Sequence, residues 1–322
     1  MVSVDASVSS YLVNYGTEFD SAGEPGATTA QAIPPSGSAT LSISSDAIAT
    51  STATSIDMLL GVDQISVSGT PLTLSQQALT LGNRTTRSVG GSPVVWYSAV
   101  TPPAGSSSWS ILGTSLLMSE SDHDAALGVW KYVGPYTVGP GGLLSNERYP
   151  TATGSYVAGT PTPSPVVAQG AGGSMAGFGF GLVEAVGTAL DSYAQWTASA
   201  SASVDPTTKS VTISITGVQT YLGFSGLRIV NGNAVLAQSL QTPDSPALPI
   251  SARSFTCTAQ APMGNVPYSC QLSSDTGAPS GTFSGRFFGP GGKTFAGTVS
   301  MLGFAFGSNS DGVTGGVIVR AP

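Results

Sequence analysis

The clearest pattern in the sequence is a strict alternation of apolar and hydroxylated residues in its second half. Across residues 197–204 every even position is apolar and every odd one is Ser or Thr, which is the period of a strand with one face turned inward. Asp205-Pro206-Thr207-Thr208 then supplies turn residues, and the alternation resumes over residues 211–216 before a glycine. The pattern predicts a β-hairpin with an aliphatic inner face.

Further short strands are predicted on both sides of this hairpin. Gly- and Pro-rich turns separate them and no amphipathic helix competes, which is typical of an all-β chain folded as an antiparallel sandwich or barrel. In the second half the predicted strands are 221–230, 254–260, 268–272, 282–288, 294–306 and 313–320, and in the first half they are 39–48, 65–74, 94–99 and 107–118.

Two domains are expected in a chain of 322 residues. The composition changes at about residue 147, after which Gly, Pro and Thr dominate as far as residue 181. We therefore predict an N-terminal domain over residues 1–147 and a C-terminal domain over residues 148–322. The Gly- and Pro-rich tract is interpreted as a linker or a long loop of the second domain, and its run 172–181 as a flexible loop.

The composition excludes several classes of protein. Only 8% of the residues are charged, against about 25% in an ordinary soluble domain, and the 10 Lys and Arg residues are dispersed within a net charge of −7. This balance argues against a nucleic-acid partner or a polybasic membrane patch, both of which need clustered cations. No apolar run approaches the roughly 18 residues of a transmembrane helix.

Sequence signatures of catalysis are also absent. There is no Gly-x-Ser-x-Gly elbow, P-loop or dinucleotide-binding fingerprint, and His123 is the single imidazole that could act as a base. The 17 Asp and Glu residues are scattered and single out no catalytic pair. We predict that the chain is not an enzyme, with a hydrolase of unrecognised site as the residual alternative.

The densest polar cluster is Glu120-Ser121-Asp122-His123-Asp124, which Trp130 and Tyr132 follow. One interpretation is that His123 ligates a haem iron or a transition metal, with Trp130 and Tyr132 lining the ligand. A second is that the three carboxylates hold a hard cation such as Ca²⁺. A third is a solvated turn between two strands.

Three other aromatic residues, Trp96, Tyr97 and Trp109, lie in strand-like context. We expect them to pack in a core or between the domains rather than to line a ligand.

The two cysteines, Cys257 and Cys270, are the only thiols in the chain. Their spacing fits a disulfide that closes a β-hairpin, which would place the protein in an oxidising compartment. The alternative is a pair of buried, reduced thiols. A zinc site is not favoured, because there is neither a Cys-x-x-Cys motif nor a second histidine.

A family resemblance covers about residues 190–322. The run Phe283-Ser284-Gly285-Arg286-Phe287-Phe288-Gly289-Pro290-Gly291-Gly292-Lys293-Thr294-Phe295-Ala296-Gly297-Thr298 and the terminal Gly315-Gly316-Val317-Ile318-Val319-Arg320 resemble the closing strands of the transferrin-binding protein B β-barrel family. The alternating hairpin of residues 197–216 is similar to a Ser/Thr-rich strand of that barrel. The chain departs from the pattern at Thr294, where an acid is common, and in its added cysteine pair.

The resemblance implies a handle-like, β-rich N-terminal domain followed by an eight-stranded antiparallel β-barrel. It further implies a surface or secreted binding protein of a Gram-negative bacterium, in which the N-terminal domain contacts the ligand and the barrel is a scaffold. Such proteins partner TonB-dependent outer-membrane receptors, and some relatives bind haem. Nothing in residues 1–147 matches the transferrin-contacting region, so transferrin is not carried over as the ligand.

These observations lead to two expectations about function. The first is a non-enzymatic extracellular protein that captures a nutrient, such as haem or another solute, for an outer-membrane receptor, with no required cofactor and haem as a possible one. The second is a structural or adhesive subunit of a surface layer or filament, which would self-associate. The sequence near Met1 shows neither a signal peptide nor a lipid-anchor cysteine, so we expect a mature form, either released or separated from its anchor.

Overall fold

A computed structural model describes the greater part of the backbone and a smaller set of side chains. All regular structure in this described part is β, and no helix in it is long and apolar enough to cross a membrane. The backbone is described for residues 4–5, 11–19, 25–33, 38–43, 56–67, 70–100, 108–121, 123–137, 149–163, 173–184, 192–230, 233–240, 254–260, 267–276, 281–302 and 312–322. Side chains are described for residues 80–82, 84–98, 114–121, 123–130, 154–163, 173–182, 195–219, 254–260, 267–276, 281–301 and 313–322.

The first ten strands form one antiparallel sheet, in the order β3-β2-β10-β9-β8-β7-β6-β5-β4 with β1 also paired to β10. Neighbours along most of this path are consecutive in the chain, as expected for strands joined by hairpins. The strands are β1 (Val4–Asp5), β2 (Tyr11–Phe19), β3 (Pro25–Ile33), β4 (Ser38–Ile43), β5 (Ile56–Val67), β6 (Thr70–Val89), β7 (Ser92–Val100), β8 (Ser108–Ser119), β9 (Ala125–Thr137) and β10 (Tyr149–Gly159).

The remaining nine strands form a second sheet that closes on itself. Its order is β12-β11-β19-β18-β17-β16-β15-β13, and β13 pairs back to β12. Eight strands therefore make a closed antiparallel barrel, and β14 pairs with the far half of β13. This confirms the predicted all-β class and the eight-stranded barrel. The strands are β11 (Gly173–Glu184), β12 (Ser192–Asp205), β13 (Ser210–Val230), β14 (Asn233–Leu240), β15 (Ser254–Gln260), β16 (Tyr268–Ser274), β17 (Gly281–Phe288), β18 (Thr294–Leu302) and β19 (Gly312–Arg320).

The chain passes from the first sheet to the second after the composition change at residue 147. Strand β10 pairs with β9 and β2, so the first sheet extends to Gly159, and the barrel begins with β11 at Gly173. The Gly- and Pro-rich tract thus contributes one strand to each sheet.

The prediction of a flexible loop at residues 172–181 is wrong, because this run forms most of β11. Its glycines lie on the face opposite Phe178 and Phe180, and a Cβ on Gly181 would lie 2.2 Å from Nε1 of Trp196. The glycines leave room for this buried indole, whose Nε1 donates a hydrogen bond to the carbonyl of Thr314 at 3.1 Å. Glycine here serves a close approach inside the barrel.

The barrel interior is filled by side chains. Trp196, Ile213, Phe283 and Phe295 are all buried in one cluster, and Phe287 and Phe295 lie 4.8 Å apart between ring centroids. The disulfide of Cys257 and Cys270 lies in this wall and joins β15 to β16, which confirms the predicted pairing.

The predicted hairpin is present, but its strands are longer than predicted: β12 begins at Ser192, and β13 continues through Gly217 to Val230, so the predicted strands 211–216 and 221–230 are one strand. Strands β12 and β13 are joined by the predicted turn, in which Oδ1 of Asp205 accepts a hydrogen bond from the amide of Thr207 at 2.8 Å. The prediction of one strand over residues 65–74 is wrong, since β5 ends at Val67 and β6 begins at Thr70. The end of the predicted strand 294–306, beyond Leu302, lies outside the described residues.

Candidate functional site

Where their side chains are described, the central strands of the first sheet, β7 to β10, are buried on both faces. One face packs against the outside of the barrel, and the other carries Val95, Tyr97, Leu116 and Met118, each fully buried. The barrel-facing layer is a single apolar cluster that contains Val89, Val94, Trp96, Leu117, Ala125, Leu127, Val129 and Val157 from the first sheet and Phe178, Phe180, Leu182, Phe288, Ala296 and Ile318 from the barrel.

Trp96 is the main aromatic contact between the sheets. Its ring meets Phe180 of β11 edge-on at 4.7 Å between centroids, and the Arg87 guanidinium lies over the indole, 5.0 Å from the ring centroid. Such arrangements are favourable for aromatic pairs and for a cation above an indole. This confirms that Trp96 packs between domains. Tyr97 is buried in the first sheet, and the side chain of Trp109 lies outside the described residues.

The chain segment that follows β10 is hydrogen-bonded to the barrel. The amide of Thr162 donates to the carbonyl of Phe287 at 2.9 Å, and the amide of Gly289 donates to the carbonyl of Thr160 at 2.9 Å. The Thr162 hydroxyl also donates to the carbonyl of Gly289 at 2.7 Å. This connection fixes the entry of the chain into the second domain.

The acidic cluster forms the turn between β8 and β9. Glu120 and Ser121 are exposed, whereas His123 and Asp124 are half-buried. The Asp124 carboxylate lies directly over Gly289 in the β17–β18 turn, where a Cβ would come within 2.2 Å of Oδ2. On the other side, Nη1 of Arg320 lies 3.4 Å from the Ser121 carbonyl as a donor.

The turn is therefore a contact between the domains as well as a connection between two strands. Among the described residues no group of three or more His, Cys, Asp or Glu is placed to hold a metal ion. Asp122, the third carboxylate of the Ca²⁺ hypothesis, lies outside the described residues.

Trp130 lies elsewhere, on the face of β9 that is turned away from the barrel. It packs over Gly154, where a Cβ would meet the indole at 2.5 Å, and Tyr156 packs in the same way over Gly128. The Tyr156 hydroxyl lies 3.3 Å from Oγ1 of Thr114, which donates to the carbonyl of Val129 at 3.0 Å. Burial raises the pKa of Tyr156 well above its usual value.

The structure does not bring His123 and Trp130 together. Trp130 is five residues beyond the start of β9 at Ala125, which at about 3.3 Å per residue places it roughly 17 Å along the strand from the turn. The side chain of Tyr132 lies outside the described residues. Ligation of haem or a metal by His123 stays a prediction, and Trp130 is a core residue of the first domain.

Sequence reasoning missed the residues that join the domains. Phe178, Phe180 and Leu182 recur at every second position of a glycine-rich run, which is a strand signal that the glycine content obscured. The position of Arg87 above Trp96 carried no signal in the sequence.

Comparison with known proteins gives likeness in structure alone. No family model and no curated protein matches the sequence. A transferrin-binding protein B double mutant from Haemophilus parasuis is similar with a TM-score of 0.37 and 8% identity, over 82% of this chain and 50% of that one. The isotype 1 transferrin-binding protein B of serogroup B Neisseria meningitidis gives 0.27 and 14% identity, over 97% and 76% of the two chains. The chain thus spans about half the length of the first of these structures.

Proposed function

We propose that this chain is a non-enzymatic extracellular binding protein that captures a scarce nutrient for a TonB-dependent outer-membrane receptor of a Gram-negative bacterium. The first domain would contact the solute, and the barrel would hold that domain in place. Within this proposal, the solute that the sequence favours is haem, with His123 as the ligand of its iron.

The observation that supports the proposal is that the barrel is closed and that side chains fill its interior. It is closed, its interior is packed with Trp196, Phe283 and Phe295, and part of its outer wall is covered by the first sheet. Where the side chains of the barrel are described, they fill its interior and leave no room for a ligand. Ligand contact is therefore assigned to the first domain and to the exposed margin where the two domains meet.

His123 lies at that margin. A half-buried imidazole can ligate a haem iron, and it sits in a turn whose backbone is fixed on the barrel by Asp124 and by the contact of Arg320 with Ser121. The Trp130 ring is too far along β9 to line this position. A haem held at His123 would instead be flanked by residues of the β8–β9 turn and of the adjacent barrel turn.

The test is native mass spectrometry with a visible absorption spectrum of the full chain before and after haem is added. A stoichiometric adduct with a Soret band is expected for wild type, and His123→Ala should lose the band while the matched control Glu120→Gln, at an exposed neighbour, keeps it. An adduct that survives His123→Ala would retain capture and overturn the assignment to His123. The absence of any adduct would overturn haem capture.

A second function, a self-associating structural subunit, is favoured by the outer face of the barrel. Ser201, Ser214 and Thr256 are cross-strand neighbours on β12, β13 and β15, and the hydroxyls of Thr212 and Thr258 lie 2.9 Å apart. No charged residue occurs within 197–204, 210–219 or 254–260. A surface without charge offers no electrostatic barrier to association of like chains.

Sedimentation of the full chain without ligand tests this second function. Concentration-dependent assemblies that disappear in a Ser201→Lys/Thr256→Lys variant would favour it, because the added cations repel between copies. Thr282→Lys, at an exposed position of β17, is the matched control and should leave the assemblies unchanged. A monomer at all concentrations would exclude it.

A further inference from the structure

The barrel wall has one weak seam, between β15 and β16. Two residue pairs join these strands, Phe255 with Ser274 and Thr256 with Ser273. By contrast, seven pairs join β13 to β15 and five join β16 to β17. The ladder stops although both strands continue, to Gln260 in β15 and back to Tyr268 in β16.

The two ends of the seam are held differently. At one end the amide of Asp275 donates to the carbonyl of Ser254 at 3.2 Å, and the Ser254 hydroxyl donates to Oδ2 of Asp275 at 3.0 Å. Beyond Thr256 and Ser273, where the ladder has ended, the strands are joined by the Cys257–Cys270 disulfide, with 5.8 Å between the two Cα atoms.

The side chains behind the seam are apolar. Cys257 is buried in the barrel core, and Cys270 and Tyr268 pack against that core. The Tyr268 ring meets Phe287 edge-on at 5.6 Å and Phe295 at 5.8 Å between centroids. Separation of β15 from β16 would expose these rings and two unpaired strand edges.

From this arrangement we infer that the disulfide holds the barrel closed between β15 and β16. Closure of the wall at this seam therefore depends on the redox state of Cys257 and Cys270. In the oxidised chain the covalent bond replaces the missing ladder. In the reduced chain this seam opens while the other seven ladders persist. The inference is independent of the ligand proposed above, since it concerns the wall of the scaffold and not the first domain.

The disulfide is reduced by ordinary thiol–disulfide exchange. A thiolate of a dithiol reductant attacks one cysteine sulfur, the Sγ–Sγ bond breaks, and the second thiol of the reductant then displaces the protein sulfur from the mixed disulfide. The chain gains two electrons and two protons as two thiols, and the dithiol leaves as its cyclic disulfide. No other cysteine takes part, because the sequence has two.

Hydrogen exchange measured by mass spectrometry on the full chain, with and without dithiothreitol, tests the inference. We expect exchange to accelerate about tenfold or more in peptides from β15 and β16 on reduction, since local opening lowers protection. Peptides from β17 and β18, which share eight residue pairs, are the internal control and should not change. A Cys257→Ala/Cys270→Ala variant should reproduce the reduced pattern and ignore the reductant.

Two results would overturn the inference. Unchanged exchange in β15 and β16 would mean that the seam holds without the disulfide. Equal acceleration in every barrel strand would mean that the disulfide supports global stability and not one seam. If the double variant fails to fold, the comparison of oxidised and reduced wild type still decides between these outcomes.

Discussion

At the scale of single residues, large buried aromatics in this protein lie beside glycines. Trp130 pairs across strands with Gly154, and Tyr156 pairs with Gly128. Trp196 pairs with Gly181 in the barrel. In each pair a Cβ on the glycine would lie within 2.5 Å of the ring. Part of the high glycine content is thus explained by aromatic rings that cover glycines on the neighbouring strand.

Replacing Gly181 with alanine should therefore be costly. Its Cβ would meet the Thr314 carbonyl at 2.1 Å and Nε1 of Trp196 at 2.2 Å, and overpacking of this kind destabilises by about 1–3 kcal/mol or more. The free energy of unfolding in urea measures the effect. Gly82→Ala is the control, because nothing lies within 4 Å of that position; an equal loss in both variants would contradict the explanation.

Tyr156 should make stability depend on alkaline pH. The unfolded phenol loses its proton near pH 10, whereas burial raises the pKa of the folded Tyr156. The folded state therefore keeps a proton that the unfolded chain releases, and stability falls above about pH 10 by about 1.4 kcal/mol per pH unit.

Tyr156→Phe separates this contribution from the rest. At pH 8 the variant should be less stable by about 1 kcal/mol, because the contact with the Thr114 hydroxyl is lost. Between pH 10 and 11 its free energy of unfolding should fall less steeply than that of wild type. Parallel curves in urea titrations across this range would refute the role of Tyr156.

At the scale of elements, the hairpin of β12 and β13 contains the strained residue Lys209, which has a φ of 53°. A non-glycine residue in this region costs roughly 1–2 kcal/mol, partly offset in the glycine variant by the entropy of the unfolded chain. Lys209→Gly should therefore increase the free energy of unfolding by up to about 1 kcal/mol, which would be measured as a higher thermal midpoint. Lys209→Ala removes the charge but keeps the Cβ and should show no such gain.

Strands with one buried face were predictable from the alternation of the sequence, and β7 and β8 were predictable from their apolar runs, whereas the glycine-rich β11 was not. The alternation of Ala and Ser predicted β12 as a strand, because one face of the barrel wall is buried and the other is exposed to solvent. In β11 the inward positions after Met175 are Gly177, Gly179 and Gly181, so most of its apolar residues face the first sheet and the usual pattern is reversed. Between β5 and β6 the apolar positions change from odd, at Val67, to even, at Leu72, which is the signal of a tight turn that an unbroken alternation would lack.

The candidate site was predictable only in part. The composition of residues 120–124 correctly indicated a turn between strands. The nearness of Trp130 in the sequence did not become nearness in space, because an extended strand carries each residue about 3.3 Å further from the turn. The contact of Asp124 with Gly289 joins residues far apart in the chain, and nothing local in the sequence records it.

At the scale of the whole molecule, the two domains should unfold together because the barrel-facing apolar layer, which contains Trp96, joins them. Trp96→Ala removes the edge-on contact with Phe180 and should cost about 3–5 kcal/mol. We expect one calorimetric transition in wild type and two in this variant, as the first sheet separates from the barrel. Arg87→Ala, which removes only the cation above the ring, should cost about 1 kcal/mol or less and keep one transition. Two transitions in wild type would show that the layer does not couple the domains.

The hydrogen bonds between Thr160, Thr162 and the end of β17 have a consequence for synthesis on the ribosome. Thr162 and Gly289 are 127 residues apart, and β11 pairs with β19, the last strand of the chain. The apolar layer of the first sheet therefore stays uncovered until nearly the whole polypeptide has emerged. Contacts of such long range slow folding and leave nascent chains prone to aggregation, so we expect the uncovered first sheet to be the part of the nascent chain most exposed to aggregation.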